Sequence, residues 1–112
     1  MKKLLLYVCV LVILTGCSKV EEKTKYEKII EKDNYVVIDV RTYSEYIESH
    51  VVNSINIPYG QIDSSITIDK KKDILVYCKS GKRSQIAAQK LTELGYNVYD
   101  MGAFSKVELP KE

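Results

Sequence analysis

The sequence predicts a small α/β domain with a mainly parallel central sheet flanked by helices, and three observations carry that expectation. The apolar runs Tyr35-Val36-Val37-Ile38 and Ile74-Leu75-Val76-Tyr77 are continuous rather than alternating, the pattern of strands covered on both faces. Helical spacing lies between them and after them, at Tyr26, Ile29 and Ile30 and again from Ser84 to Leu94. Strands alternating with helices over this length fit one domain with a parallel sheet and a modest core.

The elements follow in order. Met1-Lys2-Lys3 is a positive n-region, and Leu4 to Leu14 is an unbroken apolar run. That run falls short of the roughly 20 residues a spanning helix needs but suits a signal peptide. Leu14-Thr15-Gly16-Cys17 resembles a bacterial lipobox. The resemblance implies a signal peptide over 1–16, lipidation of Cys17, and a lipoprotein held on the outer side of a bacterial membrane. The plainer reading is a cleaved secretory peptide, or a short membrane anchor, with an incidental cysteine. Residues 17–24 read as the lipidated cysteine and a short tether, and 25–112 as the folded domain.

Processing changes the inventory. The 17 Lys+Arg and 15 Asp+Glu become 15 of each once Lys2 and Lys3 are removed, which argues against a nucleic-acid partner. Of the three cysteines, Cys9 lies in the apolar run and Cys17 in the lipobox, so the mature domain keeps one free thiol, Cys78. No zinc spacing, P-loop or dinucleotide fingerprint is present, so neither metal nor organic cofactor is expected.

Within the domain, a helix is expected from Thr24 to Glu31, broken by Asp33-Asn34. Thr42 is placed to cap a short helix through Glu48, with Glu45 three residues on completing a capping box. A second short strand lies within Val51 to Pro58. Tyr59 to Ile68 reads as irregular, with at most one helical turn. Gly95 stops the long helix, Val98-Tyr99 is the last strand, and Lys106 to Glu112 reads as a weak tail.

The chemistry concentrates where the central strand turns into the long helix, at Cys78-Lys79-Ser80-Gly81-Lys82-Arg83-Ser84. Such a turn aims backbone N–H groups and the positive end of the helix dipole at its contents. A thiol at its mouth is thereby disposed to ionise. Moving a thiol from about pKa 8.5 to near 6.5 takes roughly 2.7 kcal/mol, more than a helix terminus usually supplies. The loop amides and the cations Lys79, Lys82 and Arg83 are expected to provide the rest. A lone thiol could equally be an inert core residue; its setting argues for function.

This loop resembles the active-site loop of the rhodanese (thiosulfate sulfurtransferase) family. Further matches are Val37-Ile38-Asp39-Val40-Arg41, Glu45-Tyr46, His50, Ser54-Ile55-Asn56-Ile57-Pro58, Gly95-Tyr96-Asn97-Val98-Tyr99 and Gly102. The resemblance covers roughly Tyr26 to Pro110. The resemblance implies a Cys78 nucleophile that takes the outer sulfur of thiosulfate as a persulfide and passes it to cyanide or a thiol. Loop residues Lys79 to Ser84 would bind the anion and cradle the persulfide, in a chain expected to be monomeric. It also implies that Asp39 and Arg41 brace the site and that His50 is structural rather than the partner of a Cys–His pair. Three positions depart from the family pattern: Ser49 stands where glycine usually precedes the histidine, Ala103 where a second glycine is usual, and Val107 where tryptophan is common. The alternatives are a persulfide carrier or sulfide/redox sensor that turns over poorly, and a cysteine phosphatase or arsenate reductase. The last uses five residues between its cysteine and arginine, where this chain has four.

Overall fold

The computed structural model describes residues 22–112. The segments expected to be a signal peptide and most of a tether, with Cys9 and Cys17, lie outside the described residues.

Helix α1 (Lys25–Lys32) starts at Thr24, whose side chain accepts the Glu27 N–H, and ends at Asp33 in the left-handed region, φ 54°. Strand β1 (Tyr35–Asp39) follows. Helix α2 (Tyr43–Glu48) has the expected capping box, with Thr42 and Glu45 satisfying each other's backbone N–H groups. Strand β2 (Ile55–Asn56) is short, and one 3-10 turn, Tyr59–Gln61, lies in the irregular stretch. Strand β3 (Asp73–Cys78) is buried along its whole length. Helix α3 (Lys82–Glu93) begins two residues earlier than its spacing indicates. Strand β4 (Val98–Ala103) runs four residues past Tyr99 and leads into a 3-10 turn, Phe104–Lys106.

The sheet order is β2-β1-β3-β4, and every pairing is parallel. The two-residue period of β3 sorts its side chains between two cores. Ile74, Val76 and Cys78 join Ile38, Val40, Ala87 and Leu91 on the face covered by α3. Leu75 and Tyr77 join Ile29, Val37, Val51 and Val107 on the face covered by α1. The same alternation carries Cys78 to the α3 side, at the carboxyl end of the central strand, where open parallel sheets bind their ligands.

Two expectations about the C-terminal part are corrected. The last strand continues beyond Tyr99 to Ala103, and its one extra residue, Met101, is taken up as a bulge opposite the Val76–Tyr77 step of β3. Gly102 there takes φ 79°, and its N–H donates to Asp100 Oδ1 at 2.8 Å. The tail is not weak. Val107 fills the core at the family's tryptophan position, and the end of the chain pairs with the segment after α2 through Val52 N–H to Pro110 O and the reciprocal His50–Glu112 bonds. Ser49, in place of glycine, is extended at φ −169°, a conformation open to any residue, and its hydroxyl donates to Glu112 O at 3.0 Å.

Candidate active site

The loop closes over Cys78 because Gly81 supplies the turn. Gly81 has φ 103°, which an L side chain adopts only with strain, and it leads directly into α3. Its N–H donates to Cys78 Sγ at 2.9 Å. Ser84, fully buried in the first turn of the helix, has its Oγ 3.5 Å from Sγ and 3.1 Å from Gly81 O, so its one proton serves Gly81 O while the thiol is protonated and Sγ once the thiol ionises. Ser84 is therefore an internal strut of the loop and not a helix cap. The thiol is fully buried rather than at the mouth of the turn, because strand alternation points it inward beneath the loop. Burial pushes its pKa up. The Ser84 hydroxyl and the amides of Ser84, Gly81 and Ser80 outweigh that and leave the thiol below its ordinary value. The stabilisation comes from oriented N–H and O–H groups rather than from the lysines.

The cations of the loop divide. Lys79 and Lys82 are exposed, and among the described residues neither forms a salt bridge. Arg83 turns away to Glu45 of α2, with Nη1–Oε1 at 2.8 Å and Nη2–Oε2 at 3.2 Å. The expectation that Arg83 serves anion binding alongside the lysines therefore meets a guanidinium already engaged. Ser80 is exposed and contributes its amide. A groove of about 380 Å³ runs beside Lys79, lined also by Arg41, Glu45, Glu48, Ser49, Phe104 and Ser105.

Asp39 and Arg41 form a buried ion pair. Asp39 is fully buried and accepts from the Arg41 backbone N–H at 2.9 Å, from Nε at 3.0 Å and from Nη2 at 2.7 Å. Arg41 Nη2 also donates to Ser49 O at 2.6 Å, and its guanidinium lies 4.4 Å from the centre of the Phe104 ring. Burial alone would lower the Arg41 pKa; the Asp39 bonds and charge reverse that and raise it. Tyr77 completes the network, donating to Asp39 Oδ2 at 2.7 Å and accepting from Val51 N–H at 3.0 Å. Burial, with Asp39 adding to it, pushes the Tyr77 phenol up to about 12, so it remains a donor. Because Tyr77 precedes Cys78 on β3, the brace fixes the strand that carries the thiol.

His50 lies in a different set of contacts. Its Nδ1 is 2.7 Å from Tyr46 O, its ring stacks on Tyr46 at 3.9 Å, and Nε2 is 3.8 Å from Glu112. Among the described residues, none of these partners is Cys78 or a residue of its loop.

Sequence reading gave Glu45 only its capping role and gave Tyr77 none. The Tyr77 signal was a phenol inside an otherwise apolar buried strand, which requires a partner for its hydroxyl. Nothing local in the sequence pairs Glu45 with Arg83, 38 residues away. Among the described residues, no cluster of three or more His, Cys, Asp or Glu has the arrangement of a metal site.

The comparisons agree with this architecture. The sequence is 36% identical over 78 residues to the thiosulfate sulfurtransferase PspE of Escherichia coli, covering 66% of this chain and 75% of that protein. It is also 36% identical over 76 residues to the thiosulfate sulfurtransferase GlpE of Coxiella burnetii, covering 66% of this chain and 71% of the relative. A solved rhodanese from E. coli with bound anions superposes with a TM-score of 0.62 at 34% identity, covering 70% of this chain and 96% of its own. A rhodanese-related protein from Thermoplasma volcanium gives 0.63 at 32% identity, covering 78% and 89%. The profile of the rhodanese-like domain matches residues 22–108, most of the chain, and the chain belongs to the rhodanese-like domain family.

Proposed function

We propose that the protein is a sulfurtransferase in which Cys78 carries the transferred sulfur. The observation that supports this most directly is the thiol held under the Gly81 amide, with Ser84 Oγ beside it and, among the described residues, no basic side chain bonded to it. A thiolate stabilised by dipoles is ready to attack without a general base. It attacks the outer sulfur of thiosulfate; the Cys78 Sγ–S bond forms as the S–S bond of the donor breaks, and the bonding pair leaves with sulfite. An acceptor, cyanide or a thiolate, then attacks the terminal sulfur, and the pair of the Sγ–S bond returns to Cys78. The Ser80, Gly81 and Ser84 amides hold the negative charge throughout. Lys79 and Lys82 raise the local concentration of the dianionic donor.

Treating the full chain with thiosulfate should add the mass of one sulfur atom to the peptide containing Cys78, removable by cyanide. The loading rate should fall as salt is raised, since exposed lysines act through a screened potential. No added sulfur, together with hydrolysis of an aryl phosphate, would reverse the assignment in favour of a phosphatase. Two features weigh against that outcome: the loop is one residue shorter, and Arg83 faces Glu45 rather than the loop interior. Sulfur loading without repeated turnover would instead identify a carrier.

We further propose that the domain is tethered to the outer side of a bacterial membrane through a diacylated Cys17. The support is the registered n-region, apolar run and Gly16-Cys17. A Cys17→Ala chain should remain unprocessed and incorporate no labelled lipid. Normal lipid incorporation by that variant would refute the anchor.

A further inference from the structure

Glu45 performs two tasks with one carboxylate. Its Oε1 accepts from the Thr42 N–H and the Thr42 hydroxyl, both at 3.0 Å, which closes the capping box of α2. Both oxygens also hold the guanidinium of Arg83. A cap needs only an acceptor, and glutamine serves at that position as glutamate does. The negative charge is therefore left over from the cap, and its counterpart is Arg83. The Arg83 hydrogen bonds, foremost, hold the Glu45 carboxyl down at about 2, so the pair stays ionised under all working conditions.

Arg83 is the second residue of α3, five residues after Cys78, and the Glu45 and Cys78 charges both favour its protonated form. Freed, its planar fork of donors would be the strongest oxyanion anchor of the loop, since guanidinium grips such groups with two parallel bonds. Paired with Glu45, it leaves Lys79 and Lys82 as the cations open to solvent.

We infer that Glu45 sets the oxyanion affinity of the Cys78 loop by holding Arg83 out of it, so that dianions bind weakly and leave readily. This rests on the sulfurtransferase reading, in which each cycle admits one dianion and releases another. Sulfite retained in the loop would attack the persulfide and regenerate thiosulfate, and retained phosphate or sulfate would block the thiol. Glu45 acts through Arg83 and is a positioning residue.

The test uses inorganic phosphate as the probe and protection of Cys78 from iodoacetamide as the readout, scored on the Cys78 peptide of the full chain. No sulfur donor is needed, so a failure of sulfur transfer and a failure of this inference are distinguishable. Glu45→Gln keeps the cap and removes the charge. It should lower the half-protecting phosphate concentration about two- to fivefold, the scale of a freed, partly exposed charge. Arg83→Gln should not tighten binding, and Glu45→Gln/Arg83→Gln should match Arg83→Gln. In turnover, Glu45→Gln should lower KM for thiosulfate and lower kcat as sulfite departs more slowly. If Glu45→Gln fails to fold, Glu45→Asp, which keeps the charge but shortens the reach to Arg83, should shift protection in the same direction. Unchanged phosphate protection in the variant that folds overturns the inference. So does tightening that persists in full without Arg83, because the effect would then be simple removal of a nearby negative charge.

Discussion

Asp39→Ala should cost about 3–5 kcal/mol of folding stability, the range for breaking a buried ion pair from one side. The carboxylate is fully buried and receives four polar hydrogens, from the Arg41 backbone, Arg41 Nε and Nη2, and Tyr77 OH. Its removal leaves a guanidinium that is only 5% exposed and without its counter-charge. It also leaves the Tyr77 hydroxyl, 0% exposed, with only the long 3.5 Å contact to Ser54 Oγ as an acceptor. For a domain of this size the melting temperature should fall by about 12 °C or more in a thermal scan followed by circular dichroism. Adding Arg41→Met should recover part of the loss, because the uncompensated charge then disappears and only the Ser49 carbonyl bond is forgone. A loss below about 1 kcal/mol for Asp39→Ala alone would mean that water reaches the pair and that it does not brace the loop.

The parts of the structure legible in the sequence are those decided by neighbours in the chain. Thr42 and Glu45 announced the capping box because both partners lie within one helical turn. Asp33-Asn34 marked the end of α1 because a left-handed cap favours short polar side chains. The strand–loop–helix around Cys78 was readable because apolar run, glycine and helical spacing meet there. What escaped depends on pairs distant in sequence. The Glu45–Arg83 bridge, the Tyr77–Asp39 bond and the anchoring of Glu112 to His50 each join segments at least 38 residues apart. Burial of the thiol belonged to the same class. The loop's charge pattern placed Cys78 near solvent and cations, whereas the alternation of β3 turned it inward, beneath the amides of Ser80, Gly81 and Ser84. One consequence is that the site depends less on lysine charge, and more on loop geometry, than its composition implies.

Cys78→Ser should lower kcat/KM for thiosulfate by about 10⁴-fold or more, the scale of losing an enzymatic nucleophile. The substitution leaves the scaffold in place. A serine Oγ can accept the Gly81 N–H and face Ser84 as Sγ does, so the melting temperature should move by only a few degrees. The chemistry cannot survive it. Loop amides that bring a thiol below its ordinary pKa of about 8.5 leave an alkanol, whose pKa lies several units higher, protonated at neutral pH. Among the described residues, no basic side chain is bonded at this position to take the proton in its place. The parent activity should also rise with pH through the depressed thiol pKa and level off above it. The sign follows from the thiolate being the reactive form: protonation as pH falls removes the nucleophile. Steady-state rates and the sulfur adduct on the Cys78 peptide measure both effects. Residual turnover within about tenfold of the parent, or a sulfur adduct retained elsewhere on the Cys78→Ser chain, would move the transferred sulfur off Cys78 and overturn the proposed mechanism.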